Sequence, residues 1–423
     1  MERNVKLFPI YKLFSYDLLF YYAISVVFLT ECKSFSLSQV ALFTTVYAIS
    51  AIVSQIPAAI IVDKIGAKRC MIIGNILCLG WGINLMLNKS FIPVVLGETI
   101  CALGFALKGV SESPFLYASL KKLNRLDEFG KKEASGSFLY FIIEAVACAV
   151  SGYLFTINVY LPIIFACLCC VTAVILALNF NSISKTREKV PIKKYVTELT
   201  DGFKFIFKSK RLNALLLFCC AFYGVISICN ILMKSYFSEH NLSATGFGYV
   251  YAIFAICAAI GSKAQGILEK RHKNKTLTFF SITYVLMLLT AGILSLFKFR
   301  DNILINIGVI LFSIQSILKG AYRIIIKQYI TRYTTSSIRS KLMSVYYLCE
   351  NLGSSLFSGF ASIMLASFSV GLTCTIAGFV LIIIMILILE FMTNKVGLDP
   401  KTYTTQDRFD LREQEIQNNS INR

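Results

Sequence analysis

The chain has 423 residues, of which 56% are hydrophobic and 15% charged, and its formal net charge is +19. Its mean hydropathy of +0.69 excludes a soluble globular protein, because a soluble fold has too little polar surface to cover so many apolar residues. The basic residues are distributed loop by loop and form no continuous stripe, which argues against nucleic-acid binding. The composition predicts a polytopic membrane protein.

Twelve apolar runs are long enough to cross a membrane as helices, since a hydrocarbon core of about 30 Å requires roughly 20 apolar residues. The runs are continuous and lack the two-residue alternation of membrane β-strands. The predicted fold class is therefore an all-α membrane protein with twelve transmembrane helices. The predicted spans are 13–30, 39–62, 70–87, 92–115, 137–157, 160–180, 212–235, 246–268, 276–297, 303–324, 342–366 and 371–393.

The basic residues predict the orientation, because lysines and arginines accumulate in cytoplasmic loops. Most of the 42 lysines and arginines fall on one side of the predicted spans, which places both termini in the cytoplasm of a multi-pass cell-membrane protein. We expect no cleavable signal sequence. The same charge predicts attraction to anionic lipids. The assignment leaves five basic residues in external loops: Lys33, Lys89, Lys234, Lys298 and Arg300.

The chain divides into two halves, because six spans precede a strongly basic segment and six follow it. The predicted domains are an N-terminal six-helix bundle over 1–180, a cytoplasmic linker over 181–211, a C-terminal bundle over 212–394 and a polar cytoplasmic tail over 395–423. The linker is basic but carries Phe203, Phe205 and Phe207. Such an amphipathic segment is predicted to lie on the inner membrane surface.

The two halves resemble each other in sequence. The segment SFLYFIIEAVACAVSGY at 137–153 aligns with SVYYLCENLGSSLFSGF at 344–360, and this alignment pairs Ser151-Gly152 with Ser358-Gly359. The tripeptide Leu-Lys-Gly occurs around Lys108 in span 4 and again around Lys319 in span 10, at matching depth. The repeat predicts two pseudo-symmetric six-helix bundles.

The loop between spans 2 and 3 reads SQIPAAIIVDKIGAKR and resembles the signature loop of the major facilitator superfamily. It departs from that pattern at Ala59 and Ala67, where the family usually has a glycine and a basic residue. The Ile-Pro pair at 56–57 and the segment at 116–120 are similar to the bacterial twelve-helix drug-efflux branch. The resemblance implies alternating-access transport without a cofactor. It also implies a cytoplasmic gate formed by Asp63, Lys64, Gly66, Lys68 and Arg69.

Charged residues within the predicted spans are candidate functional residues, because a charge at membrane depth costs several kcal/mol unless it is paired or hydrated. They are Asp17, Glu98, Lys108, Glu112, Glu144, Lys263, Lys319, Arg323 and Glu350. Snorkelling to the cytoplasmic surface explains Asp17 and Arg323. The predicted sites of transport or proton coupling are Glu98, Glu112, Glu144 and Glu350, and Glu98 is expected to face the cavity and a cationic substrate.

The two lysines at matching depth have two interpretations. Lys108 with Glu144, and Lys319 with Glu350, are predicted to lie at similar depths and to form two ion pairs of the cytoplasmic gate. Alternatively, both lysines snorkel inward along apolar neighbours. In the superfamily, helices 1, 4, 7 and 10 line the central cavity. This implies a substrate pocket that contains Tyr22, Tyr223, Asn230 and Gln315, although ordinary helix packing explains each of these residues equally well.

The predicted function is secondary transport of a small molecule, with proton-coupled efflux of an amphipathic or cationic compound by a monomer as the first hypothesis. The alternatives are nutrient uptake by a symporter or uniporter, and a non-transporting receptor or enzyme built on the same scaffold. The sequence contains no P-loop and no convergent catalytic set, so an enzyme is not expected. The fourteen cysteines lack metal-binding spacing and are predicted to be packing residues.

Overall fold

The computed structural model describes residues 1–125, 128–182, 210–272, 275–297, 299–332 and 336–396. Most of the predicted linker and nearly all of the predicted tail lie outside these ranges. Throughout the described ranges the regular elements are helices. The long helices are α1 Glu2–Ser15, α2 Leu37–Ile65, α3 Ala67–Leu87, α4 Phe91–Lys121, α5 Phe129–Ile157, α6 Leu161–Leu178, α7 Lys210–Glu239, α8 Ala244–His272, α9 Thr276–Leu296, α10 Asp301–Arg332, α11 Ser336–Ser367 and α12 Val370–Val396.

The first predicted span, 13–30, is wrong as a single continuous helix. The helix α1 ends at Ser15, and helical structure returns only at Ser25–Val27, which continues as a π-helix over Phe28–Cys32. In the break, Asp17 Oδ1 accepts a hydrogen bond from the next main-chain N–H, and Phe20 has a φ of 68°. A left-handed residue and a local side-chain hydrogen bond both compete with the regular helical hydrogen bonds, and together they account for the interruption.

Nine of the described helices are long and apolar enough to cross a membrane, namely α2, α3, α4, α6, α7, α8, α9, α10 and α12. The helix α5 keeps a shorter apolar stretch, Ile142–Ile157, and α11 carries Arg339, Lys341 and Glu350 along its length. Many large apolar side chains on these helices are exposed, with Ile92 70% and Ile363 69% accessible. Such surfaces suit contact with lipid.

The described residues form two compact units. The first contains α1 to α6 together with Lys234–Ile256 and Ser358–Phe368, which are parts of α7, α8 and α11. The second contains the remaining parts of α7 to α12. The domain boundaries drawn from the sequence at 180 and 212 stay a prediction.

The core of the first unit fixes the position of α1. Phe8 and Tyr11 of α1 are fully buried against α3, α4 and α6. The Tyr11 and Phe180 rings lie 5.4 Å apart, and Phe115 of α4 lies 4.9 Å from Phe180. Burial of each such ring contributes about 1.5–3 kcal/mol, so the end of α1 is held firmly beside α4.

The repeated Ser-Gly pair marks equivalent helix contacts inside the first unit. A Cβ atom at Gly152 of α5 would lie 2.5 Å from the main-chain oxygen of Ala244 in α8, so α5 and α8 touch there. Ser358 Oγ of α11 lies 2.8 Å from Thr45 Oγ1 of α2. In a six-plus-six repeat α5 corresponds to α11, and α8 to α2. The sequence repeat therefore coincides with a repeated packing contact.

Candidate functional site

Lys108 binds the end of α1. Its side chain is buried in the middle of the first unit, only 3% exposed. The ammonium donates a hydrogen bond of 2.7 Å to the main-chain oxygen of Ser15, and it lies 3.8 Å from the ring centre of Phe105. Carbonyls in the last turn of a helix lack helical partners and carry partial negative charge. Lys108 therefore supplies a cationic cap at the point where the first span breaks.

Glu112, one helical turn after Lys108, joins the same cluster. Its Oε1 accepts hydrogen bonds from Ser15 Oγ at 2.5 Å and from the Tyr11 hydroxyl at 3.2 Å. Asn75 of α3 donates to the Tyr11 oxygen at 3.0 Å. These five side chains, Tyr11, Ser15, Asn75, Lys108 and Glu112, are all less than a tenth exposed. We call them the α1 network.

One polar atom of the α1 network has no partner within the described part of the chain. Asn75 uses its amide nitrogen twice, toward Tyr11 and toward the main-chain oxygen of Met71, but its Oδ1 is buried without a hydrogen bond. A buried acceptor without a donor costs about 1–3 kcal/mol. The network is thus not fully satisfied in this conformation.

Sequence reasoning identified Lys108 and Glu112 but missed Tyr11, Ser15 and Asn75. Tyr11 precedes the predicted first span, and Ser15 and Asn75 are uncharged, so a search for buried charges passes over all three. A usable signal was present, because Tyr11 and Ser15 are four residues apart, as are Lys108 and Glu112. Residues at this spacing share one helix face.

The structure gives Lys108 and Glu144 other partners, and their pairing in a gate stays a prediction. Lys108 is engaged by the Ser15 carbonyl and the Phe105 ring, while Glu144 of α5 accepts a hydrogen bond from Tyr140 on its own helix. The break after α1 supplies a carbonyl acceptor close to Lys108, so the lysine is satisfied without the carboxylate of α5.

In the second unit the repeated lysine also contacts the first helix of its half. Lys319 of α10 points its ammonium at Asn230 Oδ1 of α7, at 3.4 Å. Since α10 corresponds to α4 and α7 to α1, each repeated lysine bonds the helix that is first in its half. Glu350 of α11 accepts a hydrogen bond from Tyr346. The pairing of Lys319 with Glu350 stays a prediction.

Glu98 is held against a neighbouring helix. Its Oε1 accepts a hydrogen bond of 2.9 Å from the indole N–H of Trp81 in α3. The Trp81 ring packs edge-on against Tyr21, 4.8 Å between centroids. A carboxylate with a directed indole donor is already partly satisfied, and this weakens the expectation that Glu98 serves mainly to bind a cationic substrate.

Lys234 is not in an external loop, as the sequence assignment had it, but inside α7, five residues before the helix ends. Its ammonium donates to Ser25 Oγ at 2.9 Å and to the Tyr22 main-chain oxygen at 3.3 Å. The nitrogen also lies 4.1 Å from the ring centre of Tyr22 and 5.7 Å from that of Tyr251. Sequence reasoning missed this site because the lysine stands near the boundary of its span.

Lys33, in the turn after the π-helix, has comparable surroundings outside the predicted spans. Its ammonium donates to the main-chain oxygen of Asn88 at 2.7 Å and faces the rings of Phe28 and Tyr160 at 5.4 and 5.8 Å. Burial lowers the pKa of Lys33, and the nearby Lys89 acts in the same direction. Lys33 joins the turn at 88 to the first span.

The signature loop contains a tight turn and a helix cap. Gly66 has a φ of 89° and is the single residue between α2 and α3, a conformation that favours glycine. Lys68 donates to the main-chain oxygens of Leu178 and Phe180, at 2.9 and 2.6 Å, at the end of α6. Lys64 and Arg69 are exposed, and the Asp63 side chain lies outside the described part. The gate role of these residues stays a prediction.

The residues predicted to form the pocket contact different partners in the two units. Tyr22 lies beside Lys234 in the first unit, and Asn230 binds Lys319 in the second. Gln315 is 3% exposed and donates to the main-chain oxygen of Tyr284 in α9 at 2.7 Å, which is a helix-packing role. Tyr223 is half-buried.

The hydrogen bonds of the α1 network depend on whether Glu112 carries a proton. An ionised Glu112 only accepts hydrogen bonds, and its charge balances the nearby Lys108 cation. A protonated Glu112 becomes a donor, so at least one hydroxyl bond to it must reverse or break. Because Ser15 is the last residue of α1, that change acts directly at the break in the first span.

Comparison with known proteins identifies the family. Residues 13–313 match the model of the Major Facilitator Superfamily. The chain belongs to this superfamily. A relative from Bacillus subtilis (strain 168), the uncharacterized MFS-type transporter YxaM, is 20% identical over 366 residues, which are 84% of this chain and 88% of that protein.

Solved superfamily structures share the fold. The nucleoside transporter NupG aligns with a TM-score of 0.72 at 12% identity, covering 93% of this chain and all of NupG. A D-xylose–proton symporter aligns with a TM-score of 0.68 at 12% identity, covering 92% of this chain and 97% of the symporter. The predicted all-α membrane fold of this superfamily is confirmed. The chain is a multi-pass membrane transporter of a small molecule.

Proposed function

We propose that this chain is a proton-coupled secondary transporter that works by alternating access. The observation that carries the proposal is the α1 network, in which the buried carboxylate of Glu112 and the buried ammonium of Lys108 both bind Ser15 at the break of the first span. A charged residue at the centre of a membrane helix costs about 3 kcal/mol. A buried carboxylate that both receives hydroxyl donors and adjoins a break is well suited to exchange a proton during conformational change.

The coupling follows from the change in hydrogen bonding at Glu112. Loss of its charge leaves Lys108 without the nearby carboxylate and weakens the bond from Ser15 Oγ, so the end of α1 gains freedom to move. In superfamily transporters the two halves rock around a site near the membrane midplane. A proton on Glu112 would thus favour one orientation of the first span over the other.

Export is our first proposal for the direction of transport. It is supported by the likeness of the segments at 56–57 and 116–120 to the drug-efflux branch. Uptake is the second candidate, and it is supported by the structural likeness to a D-xylose–proton symporter and to proton dependent oligopeptide transporters, the latter with a TM-score of 0.64 and 14% identity. The transporter is proposed to act as a monomer in the cell membrane, with both termini cytoplasmic and its basic loops near anionic lipids.

The experiment that tests this function is transport in everted membrane vesicles against a panel of small molecules, with and without a protonophore. Vesicles that contain the protein are expected to accumulate at least one compound, and the accumulation should be lost on addition of protonophore. Glu112→Gln keeps the shape of the side chain and one acceptor oxygen, and it should abolish the part of the accumulation that the proton gradient drives. Ligand binding without movement of any bound compound would instead favour a non-transporting receptor.

A further inference from the structure

Lys234 is a cation at membrane depth whose surroundings are incomplete. An ammonium group has three donors, and Lys234 uses two of them, on Ser25 Oγ and the Tyr22 main-chain oxygen. Within the described part of the chain no carboxylate lies within the 4 Å of an ion pair with it. Asp17 acts on Lys234 electrostatically from a greater distance. The charge is therefore stabilised only in part by the protein.

The Lys234 side chain reaches a residue that stands well before the end of its own helical segment. Its Cα stands five residues before the end of α7, roughly 8 Å at 1.5 Å per residue. The group that it reaches, Ser25, stands seven residues before the end of the π-helix at Cys32, roughly 10 Å from that end by the same measure. The Lys234 ammonium is therefore held by polar atoms of the first span.

A second polar group at this place also lacks a partner. Tyr251 of α8 is 5% exposed, and its hydroxyl has no hydrogen bond within the described residues. Its ring centre lies 5.7 Å from the Lys234 nitrogen and 5.6 Å from the Tyr22 ring, with the two rings nearly perpendicular. Among the described residues, the third N–H donor of Lys234 and the hydroxyl of Tyr251 are thus both unused, beside the rings of Tyr22 and Tyr251.

We propose that Lys234 and Tyr251 bind the anionic head of the transported molecule, an organic acid with an apolar or aromatic body that packs on Tyr22. This inference rests on the proposed transport function and names its substrate class. A carboxylate accepts hydrogen bonds and supplies the negative charge that Lys234 lacks, and charge-assisted bonds of this kind are the stronger ones. A cationic substrate would be repelled by Lys234, so the class differs from the cationic compounds that Glu98 suggested.

The test is equilibrium binding to the purified full-length protein in detergent, with three probes of one shape. Benzoate carries the anion, benzamide is neutral and benzylammonium is cationic. The protein has one tryptophan, Trp81, which packs against Tyr21, the neighbour of Tyr22. Tryptophan fluorescence and the ligand-induced rise in unfolding temperature give two readouts of binding, and neither requires transport.

Three variants locate the site. Lys234→Met removes the charge and is expected to weaken benzoate binding about tenfold or more, and Tyr251→Phe, which removes only the hydroxyl, about fivefold. Lys33→Met is the matched control, because Lys33 is also buried among two aromatic rings and a main-chain oxygen. It should leave the benzoate affinity unchanged.

The expected result is saturable binding of benzoate that exceeds binding of both other probes, with losses in Lys234→Met and Tyr251→Phe but not in Lys33→Met. Lys234→Arg keeps the charge and should retain most of the affinity, which separates lost recognition from misfolding. The proposal is overturned if wild-type protein binds no benzoate, if benzylammonium binds more tightly, or if Lys234→Met binds benzoate normally. Protonophore-sensitive transport in vesicles would then still support the proposed function, so the two failures are distinguishable.

Discussion

The ammonium nitrogen of Lys108 lies 2.7 Å from the main-chain oxygen of Ser15, the last residue of α1. The contact joins α4 to the break in the first span, and in the second unit Lys319 of α10 bonds the Asn230 side chain of α7. The Leu-Lys-Gly repeat thus marks two lysines that each bind the first helix of their own half. Charges at membrane depth are candidate functional residues.

Lys108→Met is expected to destabilise the protein by about 3–5 kcal/mol, because it leaves the Glu112 carboxylate buried without its neighbouring cation. Lys108→Met combined with Glu112→Gln should cost less than the sum of the two single changes. Unfolding can be followed with a thiol-reactive dye, since the cysteines are free and most are buried.

The matched control for this cycle is Lys108→Met with Glu144→Gln. Lys108 and Glu144 form no ion pair in the described structure, so their effects should add to within about 0.5 kcal/mol. Coupling of Lys108 to Glu144 that exceeded its coupling to Glu112 would contradict the α1 network and restore the ion pair predicted from the sequence.

Gly320→Ala and Gly109→Ala should differ strongly, although both glycines follow the lysine of the repeated tripeptide. A Cβ at Gly320 would lie 2.1 Å from the main-chain oxygen of Ala258, whereas a Cβ at Gly109 would meet nothing within 4 Å. Gly320→Ala is expected to destabilise by about 1–3 kcal/mol or more, and Gly109→Ala to be neutral or to stabilise by up to about 1 kcal/mol through helix propensity. Equal unfolding temperatures for the two variants would argue against the close contact between α8 and α10.

The sequence was sufficient to predict most of the long apolar helices, their order and the superfamily. The bilayer requires the same length and apolar composition of every span, so long apolar runs can be recognised from the sequence alone. The break after Ser15 was not predictable, because it depends on local hydrogen bonds and a left-handed Phe20. The bond from Lys108 to the Ser15 carbonyl was not predictable for a related reason. Charge pairing suggests a carboxylate, but a main-chain oxygen exposed by the break is an equally good acceptor.

The site around Lys234 shows a second limit of sequence reasoning. Its residues come from the first span, α7 and α8, and no spacing within one segment connects them. A lysine five residues from a helix end has the same sequence signature whether it faces solvent or contacts other helices. Only the positions of Ser25, Tyr22 and Tyr251 show which groups Lys234 contacts.

A cross-link between Ser38→Cys and Ser362→Cys should stop transport reversibly. The two hydroxyl oxygens lie 3.3 Å apart within the first unit, and Ser38 Oγ also donates to the Ser362 main-chain oxygen at 2.7 Å. If α2 and α11 separate there during each cycle, a disulfide traps one conformation. The oxidised double variant should lose substrate accumulation, and it should regain accumulation when the disulfide is reduced.

The single variants Ser38→Cys and Ser362→Cys are the controls, because they carry the same native cysteines but cannot form the new bond. A protease site introduced between residues 183 and 209 would reveal the cross-link as a product that stays joined after cleavage. Full transport by the cross-linked double variant would show that this contact does not open during the cycle.

Proton movement through reconstituted protein tests the role of Glu112 most directly. Proteoliposomes that enclose a pH-sensitive dye are supplied with a compound found to be transported in the vesicle panel, and wild-type protein is compared with Glu112→Gln. Wild-type protein is expected to move protons with the compound. Glu112→Gln, still folded and still exchanging the compound across the membrane, is expected to move none. Proton movement by Glu112→Gln equal to that of wild-type protein would rule out Glu112 as the coupling residue.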